Sequence, residues 1–535
     1  MVRRTFLMTA AGAIVVALQG PLGCSSGGQT GGGVPGGSFS DSTDAATSGD
    51  GSGNGSSGAS GSRGGTNSGS SSGGAGSGNG SGIGGGSGSG TSSSSGASSG
   101  AGGDAAGSGS GGGSSGGGSS SGSSSSSGGF RSDAGSGEGP LPGGVMAFPP
   151  PNGLGVCPDP PLRITFGGPP TLGTSGKIQV FGTGGALVAA LDMAASSFSD
   201  MIGGTTFNIV RPAYVDGNDV VIYLKSHALT YGQTYYVNVD PGAILGPTGT
   251  PLAISDTTSW RFSTATAAPS SLSSLTVALN GSGDFCSVQG AIDALPAGNT
   301  NASTVAISAG TYHEIIHFAS KNNITLIGQD RKATIIEGIN NNTLNPTSNA
   351  TRSLVGIDGS SGLIIDTMTI HNLTPQGGSQ AEALRLQTCD KCVVRNADIL
   401  SLQDTLLWSG RLYANNCYIA GNVDFIWGTG AAYFNKCEIK TVGRAGWNVQ
   451  ARNSAATYGY VFVDSKFTSD PGITGHGLAR IDDSVYPASH VAYINCTMGS
   501  HISPAGWTIT GGGSTAQLRF WEYQSVDPSG APVDV

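Results

Sequence analysis

The sequence has little charge and few aromatic side chains. Charged residues make up 11% of its 535 residues and aromatic residues 7%, and the formal net charge is −9. Proteins that bind the phosphate backbone of nucleic acids usually carry a basic face, so this composition argues against a nucleic acid partner. After the N-terminus there is also no apolar run of about 18 residues, so we expect no membrane-spanning helix in the mature chain.

Glycine is abundant instead, with 94 residues. Most of them precede residue 145 and alternate irregularly with serine, without the period of collagen. Such a composition cannot bury enough apolar surface to offset the entropy lost on ordering the chain. We therefore predict a disordered Gly/Ser-rich tether over residues 25–145. The roughly 390 residues that follow are enough for two domains.

The first 24 residues predict export. Arg3 and Arg4 precede a short apolar stretch, residues 10–18, which is typical of a secretory signal. The adjacent arginines resemble a twin-arginine signal. Cys24, after Gly23, resembles the lipidated cysteine of bacterial lipoproteins; the alternative is a cleavable signal in which this cysteine has no role. Either way we expect an extracytoplasmic protein, secreted or lipid-anchored at the bacterial cell surface.

Residues 146–267 predict a small β-sandwich. Segments of alternating polar and apolar residues, such as 177–181 and 234–239, recur between turn signals. Short strands at this spacing are typical of sandwiches, and the pattern resembles the bacterial Ig-like domains of exported proteins. The segment contains no cluster of catalytic residues. We expect a spacer, with carbohydrate binding as the alternative.

Residues 272–530 repeat a short strand phrase that ends in an apolar residue. The phrases end at Ile370, Ile399, Ile419, Ile439, Phe467 and Met498. Irregular spacing around a constant strand phrase is typical of a parallel β-helix whose loops vary in length. The predicted fold class is therefore all-β: a parallel β-helix, a smaller Ig-like sandwich and a disordered tether.

The register of this repeat brings two carboxylates together. Asp404 and Asp424 each follow the end of a strand phrase by five residues, so they occupy the same place on turns about 5 Å apart. Gln403 precedes Asp404, and Gln380 belongs to the preceding turn. Stacked carboxylates repel when both ionise, so the pKa of one should rise, which leaves one proton donor and one nucleophile or base. Amides that donate to a developing oxyanion complete a set suited to acyl transfer on a neutral ester. A ladder of aspartates that only stabilises the β-helix is the alternative.

Local sequence carries a family resemblance. The blocks are GTYHE at 310–314, QAEAL at 380–384, QDTL at 403–406 and DFIWG at 424–428. They resemble the signature blocks of pectinesterases (pectin methylesterases), carbohydrate esterases built on a right-handed parallel β-helix. The resemblance covers about residues 275–523. It implies hydrolysis of the methyl esters of galacturonan (pectin) to pectate and methanol, without a cofactor or a metal, and we expect a monomer.

The resemblance also implies a role for each polar residue. Asp424 is the nucleophile that attacks the ester carbonyl. Asp404 is the general acid that protonates the departing methanol and later activates water. Gln380 and Gln403 form the oxyanion hole. An arginine, Arg480 by the family match, positions the nucleophile and keeps it ionised.

Two features around that arginine leave alternatives. Arg444 follows Ile439 by five residues, the register of the two aspartates, and is the second choice for the same role. The family usually continues the arginine block with Pro-Trp, whereas Ile481 and Asp482 follow here, so an aromatic sugar platform is missing. Three tryptophans are candidates to stack on sugar rings in its place: Trp427, Trp507 and Trp408.

Of the eight cysteines, seven lie after residue 24, and seven cannot all pair. Cys417, Cys437 and Cys496 each stand two residues before the end of a strand phrase, so we expect stacked inward thiols. Cys417 and Cys437 lie on adjacent turns and are also close enough for a bridge. Cys389 and Cys392 form a CxxC pair without a second ligand pair, which is weak evidence for zinc.

The sequence leaves two other functions open. A pectate lyase or a galacturonan hydrolase shares the β-helix, although neither accounts for the two glutamines. A non-catalytic surface protein would keep the fold only to bind polysaccharide. Methanol release without new reducing ends or unsaturated sugars distinguishes the esterase from both.

Overall fold

The computed structural model describes residues 137–346, 348–533 and 535. The predicted export signal with Cys24, and the predicted tether up to residue 136, lie outside the described residues. The tether prediction is wrong for residues 137–145, because residues 139–140 form a strand and Leu141 and Val145 are buried in the core of the N-terminal domain. Within the described residues, nearly all of the regular secondary structure is β-strand. The helices are α1 (Val288–Asp293), α2 (Asn349–Arg352) and a 3₁₀ turn at Thr515–Gln517. No helix among the described residues has the length and apolarity needed to cross a membrane.

The first fourteen strands belong to the N-terminal β domain. They are β1 (Gly139–Pro140), β2 (Met146–Phe148), β3 (Gly153–Val156), β4 (Leu162–Thr165), β5 (Thr171–Leu172), β6 (Lys177–Gly182), β7 (Leu187–Asp192), β8 (Ser197–Ile202), β9 (Thr205–Val210), β10 (Ala213–Asp216), β11 (Asp219–Ile222), β12 (Thr234–Val239), β13 (Ile244–Leu245) and β14 (Arg261–Thr264).

Two five-stranded sheets form the body of this domain, in the orders β1-β2-β4-β11-β10 and β3-β14-β12-β6-β7. Alternate residues of both sheets point into one apolar core, for example Ile164 and Val220 from the first sheet and Val180 and Val237 from the second. The pairs β5–β13 and β8–β9 are separate two-stranded sheets. The all-β prediction is confirmed for this segment, and its likeness to Ig-like domains stays a prediction.

The remaining strands form one long coil. They are β15 (Ser274–Val277), β16 (Ser303–Ile307), β17 (Gly310–Tyr312), β18 (Ile316–Ala319), β19 (Ile324–Gly328), β20 (Thr334–Gly338), β21 (Val355–Asp358), β22 (Ile364–Asp366), β23 (Thr369–Asn372), β24 (Leu384–Arg395), β25 (Asp398–Leu400), β26 (Leu406–Asn415), β27 (Tyr418–Gly421), β28 (Val423–Gly428), β29 (Ala431–Asn435), β30 (Glu438–Thr441), β31 (Trp447–Ala451), β32 (Tyr460–Val463), β33 (Lys466–Ser469), β34 (Gly477–Asp482), β35 (His490–Ile494), β36 (Thr497–Met498), β37 (Trp507–Thr510) and β38 (Arg519–Tyr523).

These strands stack in three parallel columns. The first column is an eight-stranded sheet, β17-β20-β23-β25-β27-β30-β33-β36. A 16-stranded sheet supplies the other two, because β24 and β26 are long enough to run through both. The second column is β18-β21-β24-β26-β28-β31-β34-β37, and the third is β15-β16-β19-β22-β24-β26-β29-β32-β35-β38. The predicted parallel β-helix is confirmed.

Asn and Asp residues recur where the chain turns between columns. Asn396 and Asn416 adopt φ values of 50° and 53°, in the left-handed region that asparagine tolerates better than most residues. Asn416 Nδ2 donates to Asn396 Oδ1 at 2.9 Å, so equivalent turns stack as a ladder. Ile399 pairs with Ile419 in the neighbouring strand, which is the register that the sequence repeat predicted.

The cysteines form two groups: free thiols buried inside the coil, and one disulfide between the two domains. Cys417, Cys437 and Cys496 are buried free thiols, as predicted, and the suggested bridge between the first two is not formed. The CxxC cysteines are also buried and free. Cys157 and Cys286 form a disulfide, which the sequence analysis missed because the two residues lie in different domains.

The disulfide joins the N-terminal domain to the β-helix beside α1. Asp159 accepts hydrogen bonds from the amides of Cys286 and Ser287 at 3.0 and 2.8 Å. Glu314, from the β-helix itself, accepts from two amides of the first turn of α1, both at 3.0 Å. Burial raises the pKa of Asp159, and it raises the pKa of Glu314 to about 7. The junction is therefore covalent, and hydrogen bonds from both domains surround it.

Replacing both junction cysteines, Cys157→Ser with Cys286→Ser, should lower the free energy of unfolding by about 2–4 kcal/mol, because the bridge closes a loop of 129 residues in the unfolded chain. Denaturant titration measures the change. A reductant should shift the midpoint of the wild type and leave that of the double variant where it is. Equal sensitivity of both proteins to reductant would contradict the assignment.

Candidate active site

Asp404 and Asp424 occupy equivalent places on consecutive turns, where the chain enters the second column. Gln403 forms a parallel bridge with Val423, and the Asp404 amide donates to the Val423 carbonyl at 3.1 Å. Both aspartates adopt positive φ values, 67° and 48°. Aspartate tolerates this left-handed conformation better than most residues, and the same conformation recurs at other turns of the coil. The register that the sequence predicted for these two side chains is present.

The carboxylate of Asp424 is held by a guanidinium. Arg480, on β34, donates from Nε to both Asp424 oxygens at 2.9 Å and from Nη2 to Oδ2. Gln450 Nε2 lies 3.3 Å from the same Oδ2. Arg480 in turn lies over the ring of Trp447, 4.5 Å from its centroid. Charge-assisted, bidentate hydrogen bonds of this kind stabilise the anionic form and fix its orientation.

Asp404 lies in a different electrostatic environment. Arg352 Nη2 donates to its Oδ2 at 3.1 Å, but the same guanidinium is engaged with Glu382 through Nε and Nη2, at 2.8–3.0 Å. Asp404 is 8% exposed. Burial, followed by the negative charges of Glu382 and Asp424, raises its pKa well above the usual range, and Arg352 and Arg452 offset this only in part.

The two neighbouring carboxyl groups therefore differ in protonation. One is an anion oriented by an arginine, and the other holds a proton at a pH where an isolated aspartate has lost it. An oriented carboxylate can attack an electrophilic carbon, and a neighbouring carboxylic acid can protonate the group that leaves.

The two glutamines lie on the turns that lead to this pair. The amide of Ala381 donates to the carbonyl of Gln403 at 3.2 Å, so Gln380 and Gln403 lie on adjacent turns. Both side chains are half-buried. Ser379 Oγ donates to Gln380 Oε1 at 3.0 Å, which directs the carbonyl end of this side chain toward the serine. The amide nitrogen is then the end that can donate to a substrate oxygen.

Of the three predicted sugar-stacking tryptophans, Trp427 lies at the site. Its ring contacts the guanidinium of Arg452 at 4.5 Å and that of Arg352 at 5.7 Å. The prediction for Trp408 is wrong, because this side chain is 0% exposed and donates from Nε1 to the Gly410 carbonyl at 3.0 Å. It fills the interior of the coil and cannot reach a sugar.

The prediction for Trp507 is also contradicted. Trp507 pairs in register with Ala479, and paired residues of parallel strands point to the same side of the sheet. Because Ala479 is buried, the ring of Trp507 turns toward the interior, where it contacts Tyr493 at 5.8 Å and Phe520 at 5.0 Å. The neighbouring position along the strand, Thr508, pairs with Arg480 and faces the site instead.

Four contributors to the site were missed by sequence reasoning: Trp447, Gln450, Arg352 and Glu382. The ring of Trp447 packs against the guanidinium of Arg480, and its Nε1 donates to Thr508 Oγ1 at 2.9 Å. Glu382 lies within the QAEAL block, which could have drawn attention to it. Arg352 had no such signal, because it arrives from the connection between β20 and β21 rather than from a repeated strand.

Arg444, the alternative arginine, lies on the surface. Its amide bonds to the Val442 carbonyl at 2.8 Å in a tight turn, and its side chain is exposed. The strand that follows restores the register at Trp447, which pairs with Val423. The five-residue spacing therefore failed as a guide here, because the turn after β30 differs from the turns before Asp404 and Asp424.

Groups of three or more His, Cys, Asp or Glu side chains able to hold a metal ion do not occur in the part of the chain that the structure describes.

Comparison with known proteins gives one consistent result. A family profile described as Pectinesterase matches residues 274–533. Pectinesterase 31 of Arabidopsis thaliana is 32% identical over 266 residues, which cover 47% of this chain and 82% of the relative. Pectinesterase 1 of Citrus sinensis is 39% identical over 167 residues, 30% of this chain and 28% of that protein. Among solved structures, the pectin methylesterase from carrot is 26% identical with a TM-score of 0.42, covering 48% of this chain and 84% of that one.

The carboxyl group of Asp404 should remain protonated to a higher pH than that of an exposed aspartate, since burial and adjacent negative charge raise its pKa. Infrared difference spectra across a pH titration should show a carboxylic acid band that Asp404→Asn removes. Glu382→Gln should shift the loss of this band to lower pH, because it removes a negative charge that favours the protonated form. A band that titrates like an exposed aspartate would contradict this environment.

Proposed function

The chain belongs to the pectinesterase family, and we propose that the site around Asp404 and Asp424 performs its reaction. The protein is a carboxylic-ester hydrolase that removes methyl esters from pectin. The observation that supports this assignment of residues is the contrast between two adjacent carboxyl groups. Asp424 is oriented by Arg480, whereas the pKa of Asp404 is raised by burial and by neighbouring charge.

In the first step, a carboxylate oxygen of Asp424 attacks the carbonyl carbon of the methyl ester. The carbonyl oxygen becomes an oxyanion, and the amide hydrogens of Gln380 and Gln403 stabilise it. Asp404 gives its proton to the methoxy oxygen as the bond to that oxygen breaks. Methanol leaves, an anhydride joins the substrate acyl group to Asp424, and Asp404 is now ionised.

In the second step, the ionised Asp404 takes a proton from water as the water oxygen attacks the same carbonyl carbon. The bond to Asp424 breaks and releases the carboxylic acid of the polysaccharide, which then loses its proton to the solvent. Asp424 returns to the anionic form that Arg480 stabilises, and Asp404 is protonated again. Each residue therefore ends the cycle in the state in which it began.

We also propose roles for Trp427, for the N-terminal β domain and for Cys24. Trp427, beside the two catalytic carboxyl groups and 7% exposed, is the remaining candidate to contact a sugar ring. The N-terminal β domain is an Ig-like module. The enzyme acts outside the cytoplasm as a monomer, with Cys24 as a lipid anchor.

Asp424→Asn should lower kcat for methanol release from esterified pectin at least about a thousandfold, because an amide cannot replace the nucleophile. Gln403→Ala should cost roughly ten- to a thousandfold through loss of an oxyanion donor. Asp464→Asn is a matched control, since Asp464 also has a positive φ, 50°, but is exposed on the surface. Wild-type rates in Asp424→Asn would refute the mechanism, and new reducing ends or unsaturated sugars would point to a different reaction.

The two arginines can be separated by the same assay. Arg480→Lys should reduce kcat about a hundredfold, because a single ammonium cannot reproduce the bidentate contact that orients Asp424. Arg444→Lys should leave kcat within about twofold, as expected for an exposed side chain. The reverse order of effects would transfer the positioning role to Arg444.

A further inference from the structure

The hairpin formed by β8 (Ser197–Ile202) and β9 (Thr205–Val210) leaves the N-terminal domain and packs on the β-helix. Ile202 and Phe207 are buried in the apolar core of the β-helix rather than in that of their own domain. The Phe207 ring lies 5.5 Å from the ring of His317. The turn of the hairpin approaches closely, since a Cβ added at Gly203 would lie 1.9 Å from the His317 carbonyl oxygen.

Reciprocal hydrogen bonds join this hairpin to a side chain of the β-helix. The amide of Asn208 donates to Asn345 Oδ1 at 2.8 Å, and Asn345 Nδ2 donates to the Asn208 carbonyl at 2.9 Å. Both bonds use the backbone of Asn208, so the side chain of Asn345 occupies the place of a further strand beside the hairpin. Asn345 is thereby held in one orientation.

Hydrogen bonds lead on from Asn345 to the residues that precede and follow Arg352 in the chain. Asn345 Nδ2 donates to Asn340 Oδ1 at 2.8 Å, and its carbonyl accepts a hydrogen bond from Thr351 Oγ1 at 3.2 Å. Asn340 Nδ2 then donates to the carbonyls of Thr351 and Ser353, at 3.0 and 2.7 Å. Thr351 and Ser353 are the neighbours of Arg352 in the chain, and all of these residues are buried.

A second branch reaches Glu382, the partner of Arg352. Asn372 Nδ2 donates both to the Asn340 carbonyl at 2.7 Å and to the Glu382 carbonyl at 3.0 Å. Arg352 donates a hydrogen bond to Asp404, and Glu382 is the neighbouring charge that raises the pKa of Asp404 most. The hairpin is therefore connected to the environment of the proton donor through a short series of buried hydrogen bonds.

We propose that the hairpin β8–β9 of the N-terminal domain is a positioning element for catalysis, which holds Arg352 against Asp404 through Asn345 and Asn340. This proposal rests on the proposed function, in which Asp404 is the general acid. It gives the N-terminal domain a part in the reaction that a spacer would not have. The hairpin, Asn345 and Asn340 act on Asp404 only through Arg352. They are therefore positioning elements and do not themselves contact the substrate.

Loosening the contact between the hairpin and the β-helix should change both kcat and the pH at which kcat falls on the alkaline side. The charged groups that face Asp404 are Glu382, Asp424, Arg352 and Arg452; the two acids raise its pKa and the two arginines lower it. When Arg352 moves away, an opposing charge is lost and the pKa of Asp404 rises further. The alkaline limb of the pH profile of kcat should therefore move to higher pH, while kcat itself falls because the proton donor is less well oriented.

The test uses the full chain with its disulfide intact and compares three variants. Gly203→Ala pushes the tip of the hairpin away from His317, and Asn345→Ala removes the reciprocal hydrogen bonds. Met201→Ala is the matched control, because Met201 belongs to the same hairpin and is 62% exposed. We expect kcat to fall about two- to thirtyfold in the first two variants, with KM within about twofold and the alkaline limb shifted upward. The control should match the wild type in all three quantities.

Wild-type kcat and pH profile in both Gly203→Ala and Asn345→Ala would overturn the proposal. A lower kcat with an unmoved alkaline limb would also overturn it, since general loss of structure would then explain the effect. Thermal unfolding shows whether each variant has folded. If one of Gly203→Ala and Asn345→Ala has not folded, the result for the other decides the test. Absence of methanol release by the wild type would instead refute the proposed function.

Discussion

The in-register stacking of parallel turns is the constraint on which the site depends. Neighbouring turns of a β-helix repeat at the interstrand distance, so any two residues in equivalent places must be neighbours in space. Asp404 and Asp424 are such a pair, and Arg480 reaches Asp424 from a later turn of the same column. The backbone hydrogen bonds of the coil fix these positions, so side chains in equivalent places lie next to each other with little help from other contacts.

What the stacking does not decide is how the two carboxyl groups differ. That difference comes from residues around them: a bidentate guanidinium on one side, and a buried Arg352–Glu382 pair on the other. Glu382 is bound to the same guanidinium, and its negative charge opposes the lowering effect of Arg352 on the pKa of Asp404. An arginine near an acid is therefore compatible with a raised pKa when a second acid lies on the same guanidinium.

The columns, the register and the two aspartates could be predicted from sequence because a repeat reports position directly. Arg352 could not, since it comes from a connection that occurs once and obeys no period. Trp408 and Trp507 were misplaced because a motif gives residue type and order but not which side of a strand faces outward. The disulfide was missed for a related reason: Cys157 and Cys286 pair across two domains, and neither belongs to the repeat.

The junction between the domains also bears on how the protein can be shortened. A fragment beginning at residue 272 would retain every residue of the proposed active site. It would nevertheless uncover the apolar surface that Phe207 and Ile202 now cover, and it would leave Cys286 as an unpaired thiol. Exposed apolar surface and a free thiol both favour aggregation and intermolecular bridging. For this enzyme the boundary of the family homology is therefore not a boundary at which the chain can be cut without consequence.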